Sequence, residues 1–345
     1  MIKLSVAYTN QLYPILRKYK EHINDIYFSD GEFDSARGST SFDEGEHLSI
    51  EELKEIKSLG IKLNYVLNSP YLPNRLLNKH KDITEHLLSL KEEGLVDIIT
   101  VNNLILANNK HFMKTLNENF EVKNSVNNHI NSALKTKEIC ERFPTIDNII
   151  VDRSVNRNPE LIKEMADICH SYGKKITVLI NEGCLYNCIF KRDCDLTFSS
   201  QDSVGSEDNG IFNCYKENFK KHNDRYLKSP WMTAEGVEML EGVVDIFKIS
   251  GRYDPPDEIE KRIRYYLYND RDVMLRHILD KVLNEKYDEI YNLSMMELSV
   301  WGMSRTLTNC KNDCMNCDKC DVFLEKYKED KNDWFKRKPV FNCYY

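Results

Sequence analysis

Eight short apolar runs alternate with amphipathic helical patterns as far as residue 250, and this alternation constrains the fold more than any other feature. The runs are rich in Val, Ile, Tyr and Phe, a composition typical of buried strands. Three helical patterns end at Gly60, Gly94 and Gly173, which predicts a left-handed C-cap at each glycine. The predicted strands are 3–8, 23–29, 62–68, 96–101, 120–125, 146–152, 175–181 and 244–250, and the helical patterns between them include 49–60, 82–94, 131–143 and 159–173.

Eight strands with helices between them predict an α/β fold, a TIM-like (β/α)8 barrel. An open, doubly wound sheet is the alternative. No G-x-G-x-x-G motif follows the first strand, which weakens a dinucleotide-binding version of that sheet. After residue 255 the alternation stops, and residues 257–269 and 272–287 have helical patterns. We therefore expect a barrel over 1–255 and a helical, cysteine-rich C-terminal extension over 256–345.

The composition limits the cellular compartment and the classes of partner that we expect for this chain. The net charge of −7 argues against a broad nucleic-acid-binding surface, although one basic pocket would suffice for RNA. No apolar run approaches the roughly 18 residues that span a bilayer, and the N-terminus lacks the apolar region and cleavage site of a signal peptide. We expect a cytoplasmic protein whose eleven cysteines are reduced. Cys140 and Cys169, within helical patterns, are expected in the core.

Four cysteines fall within eleven residues near the C-terminus, and such crowding predicts a metal site. Zinc sites usually join two C-x2–4-C pairs through a spacer, which this run lacks, so its compact spacing favours a 4Fe–4S cluster over zinc. A match of its first three cysteines to the radical S-adenosylmethionine triplet is discounted, because the run follows the last strand and a fourth cysteine would close the cluster. We call Cys310, Cys314, Cys317 and Cys320 the terminal cysteine group, with Cys343 an alternative fourth ligand.

A second set of cysteines begins directly after the seventh predicted strand. We call Cys184, Cys188, Cys194 and Cys214 the first cysteine group. In a barrel this position is the mouth, where function sits, and we expect another iron–sulfur cluster there. A zinc site is one alternative. Another is three ligands with Cys194 uninvolved, which would leave one iron open to substrate. The expected cofactor is thus one or two 4Fe–4S clusters.

Polar residues follow the later strands at the same predicted mouth. Carboxylates there are suited to moving protons, and arginine's planar fork suits the carboxylate or phosphate of an anionic ligand. The predicted catalytic residues are Glu182, Asp152 and Arg157, and the predicted substrate-binding residues are Arg153, Asn156, Asn181, Lys248 and Arg252.

Several segments resemble the collagenase-like peptidase family, family U32. They are NEGCLYNC after a strand, KSPWMTAEGVEML leading into VDIFKISGR, and the terminal cysteine run. The resemblance covers most of the chain and is most specific over 147–252. The chain looks most similar to an anaerobe-associated iron–sulfur branch of the family, related to the oxygen-independent hydroxylation proteins. The usual peptidase-signature segment is not intact, and the terminal run is an addition to the basic barrel.

The resemblance implies more than one activity. Members are widely labelled proteases. Others are an anaerobic ubiquinone hydroxylation pair and proteins that hydroxylate tRNA uridine or ribosomal cytidine, some with prephenate implicated as oxygen donor. Several of these hold a 4Fe–4S cluster through four cysteines. Carried onto this chain, Cys184 and Cys188 match those ligands best, Cys214 follows, and Cys194 matches least.

The sequence favours an iron–sulfur oxidoreductase, such as an oxygen-independent hydroxylase acting on a small anionic molecule, a peptide or RNA. A U32-type peptidase is an alternative, although neither G-x-S-x-G nor H-E-x-x-H is present. A non-catalytic iron–sulfur accessory subunit is another. The expected partners are a small-molecule or peptide substrate and an electron donor or partner protein, with no membrane.

Overall fold

The chain closes eight parallel strands into a barrel. The computed structural model describes residues 1–33, 48–70, 80–199, 224–251, 254–279 and 293–336. The strands pair in chain order and the first pairs with the last, as the sequence predicts. They are β1 Leu4–Ala7, β2 Ile23–Phe28, β3 Lys62–Leu67, β4 Ile98–Val101, β5 Glu121–Asn124, β6 Asn148–Ile150, β7 Lys175–Leu179 and β8 Ile246–Ile249.

Helices surround this barrel. Through residue 251, the described helices are α1 Tyr13–Tyr19, α2 Ile50–Ser58, α3 His80–Glu92, α4 Leu104–Ala107, α5 Lys110–Asn119, α6 Ala133–Arg142, α7 Pro159–Ser171, α8 Lys191–Phe198, α9 Asp224–Lys228 and α10 Ala234–Glu238. The C-terminal part adds α11 Pro256–Tyr268, α12 Leu275–Ile278, α13 Met295–Val300, α14 Met303–Thr308 and α15 Lys319–Lys336. Among these residues no helix is long and apolar enough to cross a membrane.

Three helix ends and two buried cysteines lie where the sequence predicts them. Gly60, Gly94 and Gly173 follow their helices with φ of +82°, +76° and +68°, which confirms the predicted left-handed caps. Cys140 and Cys169 are buried in the core, as expected.

The helix predicted from residue 272 is wrong at its start. Met274 forms an isolated antiparallel bridge with Ser294, and helix α12 begins only at Leu275. The guanidinium of the buried Arg262 donates to the carbonyls of His277 and Leu279. These bonds lie at the end of the helix, which has a single turn. Residues 280–287 lie outside the described residues.

The barrel interior contains a buried ion pair. Lys123 Nζ lies 2.8 Å from Asp25 Oδ1, and both side chains are almost fully buried. Ser5 and Asn64 also donate to Asp25, at 2.8 and 2.9 Å. The pair is therefore hydrogen-bonded, as a buried charge must be.

The C-terminal helices pack on the barrel through the same hydrophobic core. Ile259 and Ile263 of α11 belong to the core cluster that also contains the strand residues. The Tyr266 hydroxyl donates to the carbonyls of Ile180 and Met232, at 3.1 and 3.2 Å. The division into 1–255 and 256–345 stays a prediction, and the described parts share one core.

Candidate functional site

A buried ion pair joins the loops after β6 and β7. Arg153 lies on a 3-10 turn whose N-cap is Asp152. Its Nη1 donates to Glu182 Oε2 at 2.5 Å, and its Nη2 donates to Asn127 Oδ1 at 2.9 Å. Asp195 Oδ2 lies 3.8 Å from the same guanidinium. The structure thus brings together Asp152, Arg153 and Glu182, three residues that the sequence predicts for the site.

Asp152 is paired with a histidine. His129 Nδ1 lies 2.8 Å from Asp152 Oδ2, and the Ser154 amide donates to Oδ1 at 2.7 Å. Burial opposes ionisation of this carboxyl, but the His129 hydrogen bond, the Arg153 charge and the Ser154 amide outweigh it and hold the pKa of Asp152 well below its ordinary value. Asp152 is therefore an anion over the physiological pH range.

Three residues of the site, His129, Lys191 and Asp195, were not predicted from the sequence. The sequence shows only that these residues have polar neighbours. His129 follows β5 in the polar run SVNNHIN, and Lys191 and Asp195 lie on helix α8. A histidine in such a run is most often solvent-exposed, and nothing local marks its contact with a carboxylate 23 residues away.

His129, Asp152 and Arg153 border an open cavity of about 280 Å³ at the barrel mouth. Three cationic side chains, Arg153, Lys191 and Arg192, contribute to its wall. Lys191 also bonds Asp195 at 2.8 Å. The remaining lining residues are His129, Asn131, Asp152, Ser154, Leu185, Asn187, Cys188, Ile189 and Pro230. The cavity thus combines positive charge, a carboxylate–imidazole pair and a thiol.

The first cysteine group begins at the edge of this cavity. The Cys184 amide donates to Glu182 Oε1 at 2.9 Å, which fixes the start of the loop. The Cys184 and Cys188 thiols are neighbours, and the effect of Cys188 together with burial raises the pKa of Cys184. Cys194 lies on α8, half-buried. Cys214 lies outside the described residues.

The terminal cysteine group lies on the same face of the barrel. Cys310 follows α14, and Cys320 lies in the first turn of α15. In the connecting loop, the Asn312 side-chain amide donates to the carbonyl of Asn156, just after β6, at 2.6 Å. Burial and the charges of Cys314, Cys310 and Asp152 raise the pKa of Tyr186, between Cys184 and Cys188. Tyr186 is therefore within electrostatic range of both the terminal group and the barrel mouth.

Arg157 lies beside the terminal group and is almost fully buried. Its Nε and Nη1 donate to the carbonyls of Trp231 and Leu227, both at 2.7 Å, and its Nη2 donates to the carbonyl of Ser229. Its Cζ lies 5.2 Å from the centre of the Trp231 ring. Burial lowers the pKa of Arg157, opposed by the neighbouring Cys310, Cys320 and Cys314 thiols.

The other predicted substrate-binding residues are engaged within the protein. Asn156 donates to the carbonyls of Leu179 and Pro230, both at 2.6 Å. Asn181 exchanges hydrogen bonds with Ser250, and Lys248 Nζ lies 3.9 Å from the centre of the Tyr27 ring. Arg252 lies outside the described residues. The catalytic and binding roles of all these residues stay predictions.

The described part of the chain does not form a closed metal cage. No group of three or more His, Cys, Asp or Glu side chains among these residues is arranged to hold a metal ion. The donor chemistry nevertheless fits iron–sulfur ligation, because both groups supply soft thiolate ligands and the Cys184 and Cys188 thiols are adjacent.

Two known proteins match most of this chain. An uncharacterised protease of Methanocaldococcus jannaschii is 25% identical over 340 residues, covering 94% of this chain and 95% of that protein. A U32 peptidase of solved structure matches with a TM-score of 0.51 and 15% identity, over 74% of this chain and 95% of that one. The chain is thus similar to an uncharacterised protease over nearly its whole length, and it shares its barrel fold with a U32 peptidase. No family model matches the chain.

The comparisons agree with the barrel and are consistent with the resemblance to the collagenase-like peptidase family, U32. They support the alternative function, a U32-type peptidase-family protein, better than the iron–sulfur oxidoreductase that the sequence favours. An iron–sulfur branch of the family is not indicated by either relative.

Proposed function

We propose that this protein holds an iron–sulfur cluster through its first cysteine group and modifies a small anionic ligand in the cavity at the barrel mouth. The observation that carries the proposal is the position of Cys188. It lies beside the Cys184 thiol and also lines the cavity, whose wall includes the cationic side chains of Arg153, Lys191 and Arg192. A cluster held there would border the space where the ligand binds.

The ligand set is supported by chemistry and by chain geometry. Cys184 and Cys188 are three residues apart in the loop after β7, and Cys194 is on the helix that follows. The Glu182 carboxylate accepts from the Cys184 amide, and the same carboxylate pairs with Arg153. This pairing would keep the ligand loop in place relative to the cavity. When bound, the cluster supplies one-electron chemistry.

The protein's own residues would bind the ligand and move the proton. Lys191 and Arg192 contribute positive charge on the side of α8, which suits a carboxylate or phosphate. Asp152 fixes His129 through Nδ1, and among the described residues no hydrogen bond occupies the other ring nitrogen. His129 can therefore exchange a proton with the ligand at Nε2, with Asp152 stabilising the imidazolium.

The experiment compares Cys188→Ser with Phe190→Ser, both purified without oxygen. Phe190 is exposed, two residues away, and does not line the cavity, so its replacement controls for loop changes. We expect the cysteine variant to lose the electron paramagnetic resonance signal of a reduced cluster at the first group, while the control keeps it. Identical spectra from both variants would show that Cys188 is not a ligand.

Peptide hydrolysis is the second candidate, and a specific observation favours it. The His129–Asp152 pair and the Cys188 thiol line one cavity, and a nucleophilic thiol needs such a base. In this alternative, His129 takes the Cys188 proton and Asp152 orients the imidazole. Hydrolysis of a fluorogenic peptide pool by iron-free protein, lost in both Cys188→Ser and His129→Gln, would favour it over the redox function.

A further inference from the structure

The buried cation Arg157 lacks an acidic partner. Its side chain is 3% exposed, and among the described residues its guanidinium hydrogen-bonds the carbonyls of Trp231, Leu227 and Ser229. Among residues 1–33, 48–70, 80–199, 224–251, 254–279 and 293–336, no carboxylate forms an ion pair with it. Carbonyl groups solvate a guanidinium but do not neutralise it, so a buried charge of this kind calls for an anion nearby.

The terminal cysteine group occupies the place where that anion would lie. Asn312, between Cys310 and Cys314, donates to the carbonyl of Asn156, the residue before Arg157. The Cys310, Cys314 and Cys320 sulfurs are close enough to act on the Arg157 charge. Lys228 also acts on Cys314 and Cys320, while it bonds Asp321 at 3.1 Å. Arg157 and Lys228 thus lie near three of the four cysteines, although free thiols carry no charge at neutral pH.

We propose that the terminal cysteine group binds a metal centre as four thiolates, and that the negative charge of this centre is the counterion of Arg157. Four thiolates around a Zn²⁺ ion, or around the +2 core of an oxidised 4Fe–4S cluster, leave a net charge of about −2. Metal binding releases the thiol protons to solvent, and the resulting anion stands against the guanidinium.

The four sulfurs are not arranged around a common point in the described structure, so binding a metal would require movement of the loop between Cys310 and Cys320. Its two ends are fixed, because Cys310 follows α14 and Cys320 belongs to α15. Asn312 ties the middle of the loop to the barrel. Cys314 and Cys317 are exposed, so their side chains can turn towards Cys310 and Cys320 without disturbing the core.

This inference stands apart from the proposed function, because it concerns other cysteines. It also gives the centre a place in the molecule. Arg157 is four residues after Arg153, and Asn156 accepts the Asn312 hydrogen bond. A metal bound at the terminal group would therefore stabilise the loop after β6 that carries Asp152 and Arg153.

The first test uses the double variant Cys314→Ser, Cys317→Ser and the control Met315→Ser. Met315 is exposed in the same loop, so the control measures any effect of loop substitution itself. Iron, zinc and acid-labile sulfide are measured per chain after anaerobic purification. We expect the double variant to lose one metal centre that the control and the wild type keep. Loss of iron with sulfide identifies a cluster, and loss of zinc identifies a single ion.

Equal metal content in the double variant and the control would overturn the inference. This outcome leaves the proposed function intact, because that function depends on Cys188. Conversely, the Cys188→Ser experiment can fail while the terminal centre is still present. The two results are therefore distinguishable in the same set of preparations.

A second test examines the charge of Arg157. We expect Arg157→Gln to weaken metal binding by the terminal group at least about tenfold in a chelator competition, since it removes the buried cation nearest the thiolates. Because Arg157 also holds three carbonyls, Lys228→Gln is measured in parallel, with an expected loss of about two- to threefold at this more exposed cation. Unchanged affinity in a folded Arg157→Gln and in Lys228→Gln would contradict the counterion role.

Discussion

At the scale of single residues, the barrel mouth depends on a few charged side chains that are buried together. Arg153 bridges Glu182 and Asn127, and His129 bonds Asp152. The sequence places the acids and the arginine after their strands, since parallel strands end at a common edge. It does not reveal which acid pairs with which base, because these contacts join residues 23 to 29 positions apart.

The Arg153–Glu182 pair should stabilise the fold. Replacing Glu182 by Gln leaves a buried guanidinium short of one charge partner, and we expect a loss of about 3 kcal/mol in the free energy of unfolding. The matched control is Glu138→Gln, which breaks an exposed pair with Arg142 at 3.7 Å and should cost almost nothing. Denaturant unfolding measures both. Equal stabilities for the two variants would mean that the buried pair contributes no more than the surface pair.

Asp152 should make stability depend on pH in acid. Its pKa is lowered in the folded protein, so its contribution is complete above its ordinary value of 3.8 and is lost as the pH falls below it. We expect wild-type protein to lose more stability than Asp152→Asn between pH 5 and 2, about the range in which this carboxylate titrates. Asp167→Asn, an exposed substitution on α7, should follow the wild-type curve. Parallel curves for wild type and Asp152→Asn would contradict the expectation.

At the scale of elements, strands were more predictable than the ends of helices. Every predicted strand is found because strands of a parallel barrel are buried on both faces and read as continuous apolar runs. The glycines that end helices were equally clear. The helix predicted from residue 272 failed because its amphipathic pattern is local, whereas its actual limits depend on Arg262, a side chain of another helix.

The docking of the terminal loop on the barrel should depend on Asn312. Its φ is +57°, which glycine adopts readily, so Asn312→Gly removes the bond to the Asn156 carbonyl without adding backbone strain. We expect faster amide hydrogen exchange across residues 310–318 and a loss of about 1 kcal/mol. The control is Asn316→Gly, whose side chain bonds Asp313 in the same loop. Equal exchange in both variants would show that Asn312 does not hold the loop.

At the scale of the whole molecule, the two cysteine groups lie on the same face of the barrel. The spacing of the terminal group predicts a metal site, but its position does not follow from sequence, because Asn312 and Asn156 are 156 residues apart. The buried Arg157 was predicted as catalytic from its place after β6, and its contacts with carbonyls and cysteines could not be foreseen. The barrel mouth therefore includes residues of both the predicted barrel, 1–255, and the predicted C-terminal extension, 256–345.

Metal analysis of the wild-type protein, purified and kept without oxygen, tests the central claim most directly. Iron, zinc and acid-labile sulfide are counted per chain. The account predicts about eight irons and eight sulfides if both cysteine groups hold four-iron clusters, or about four of each with zinc if the terminal centre is a single ion. Zinc without sulfide, or no metal at all, would contradict a cluster at the barrel mouth and leave the peptidase alternative.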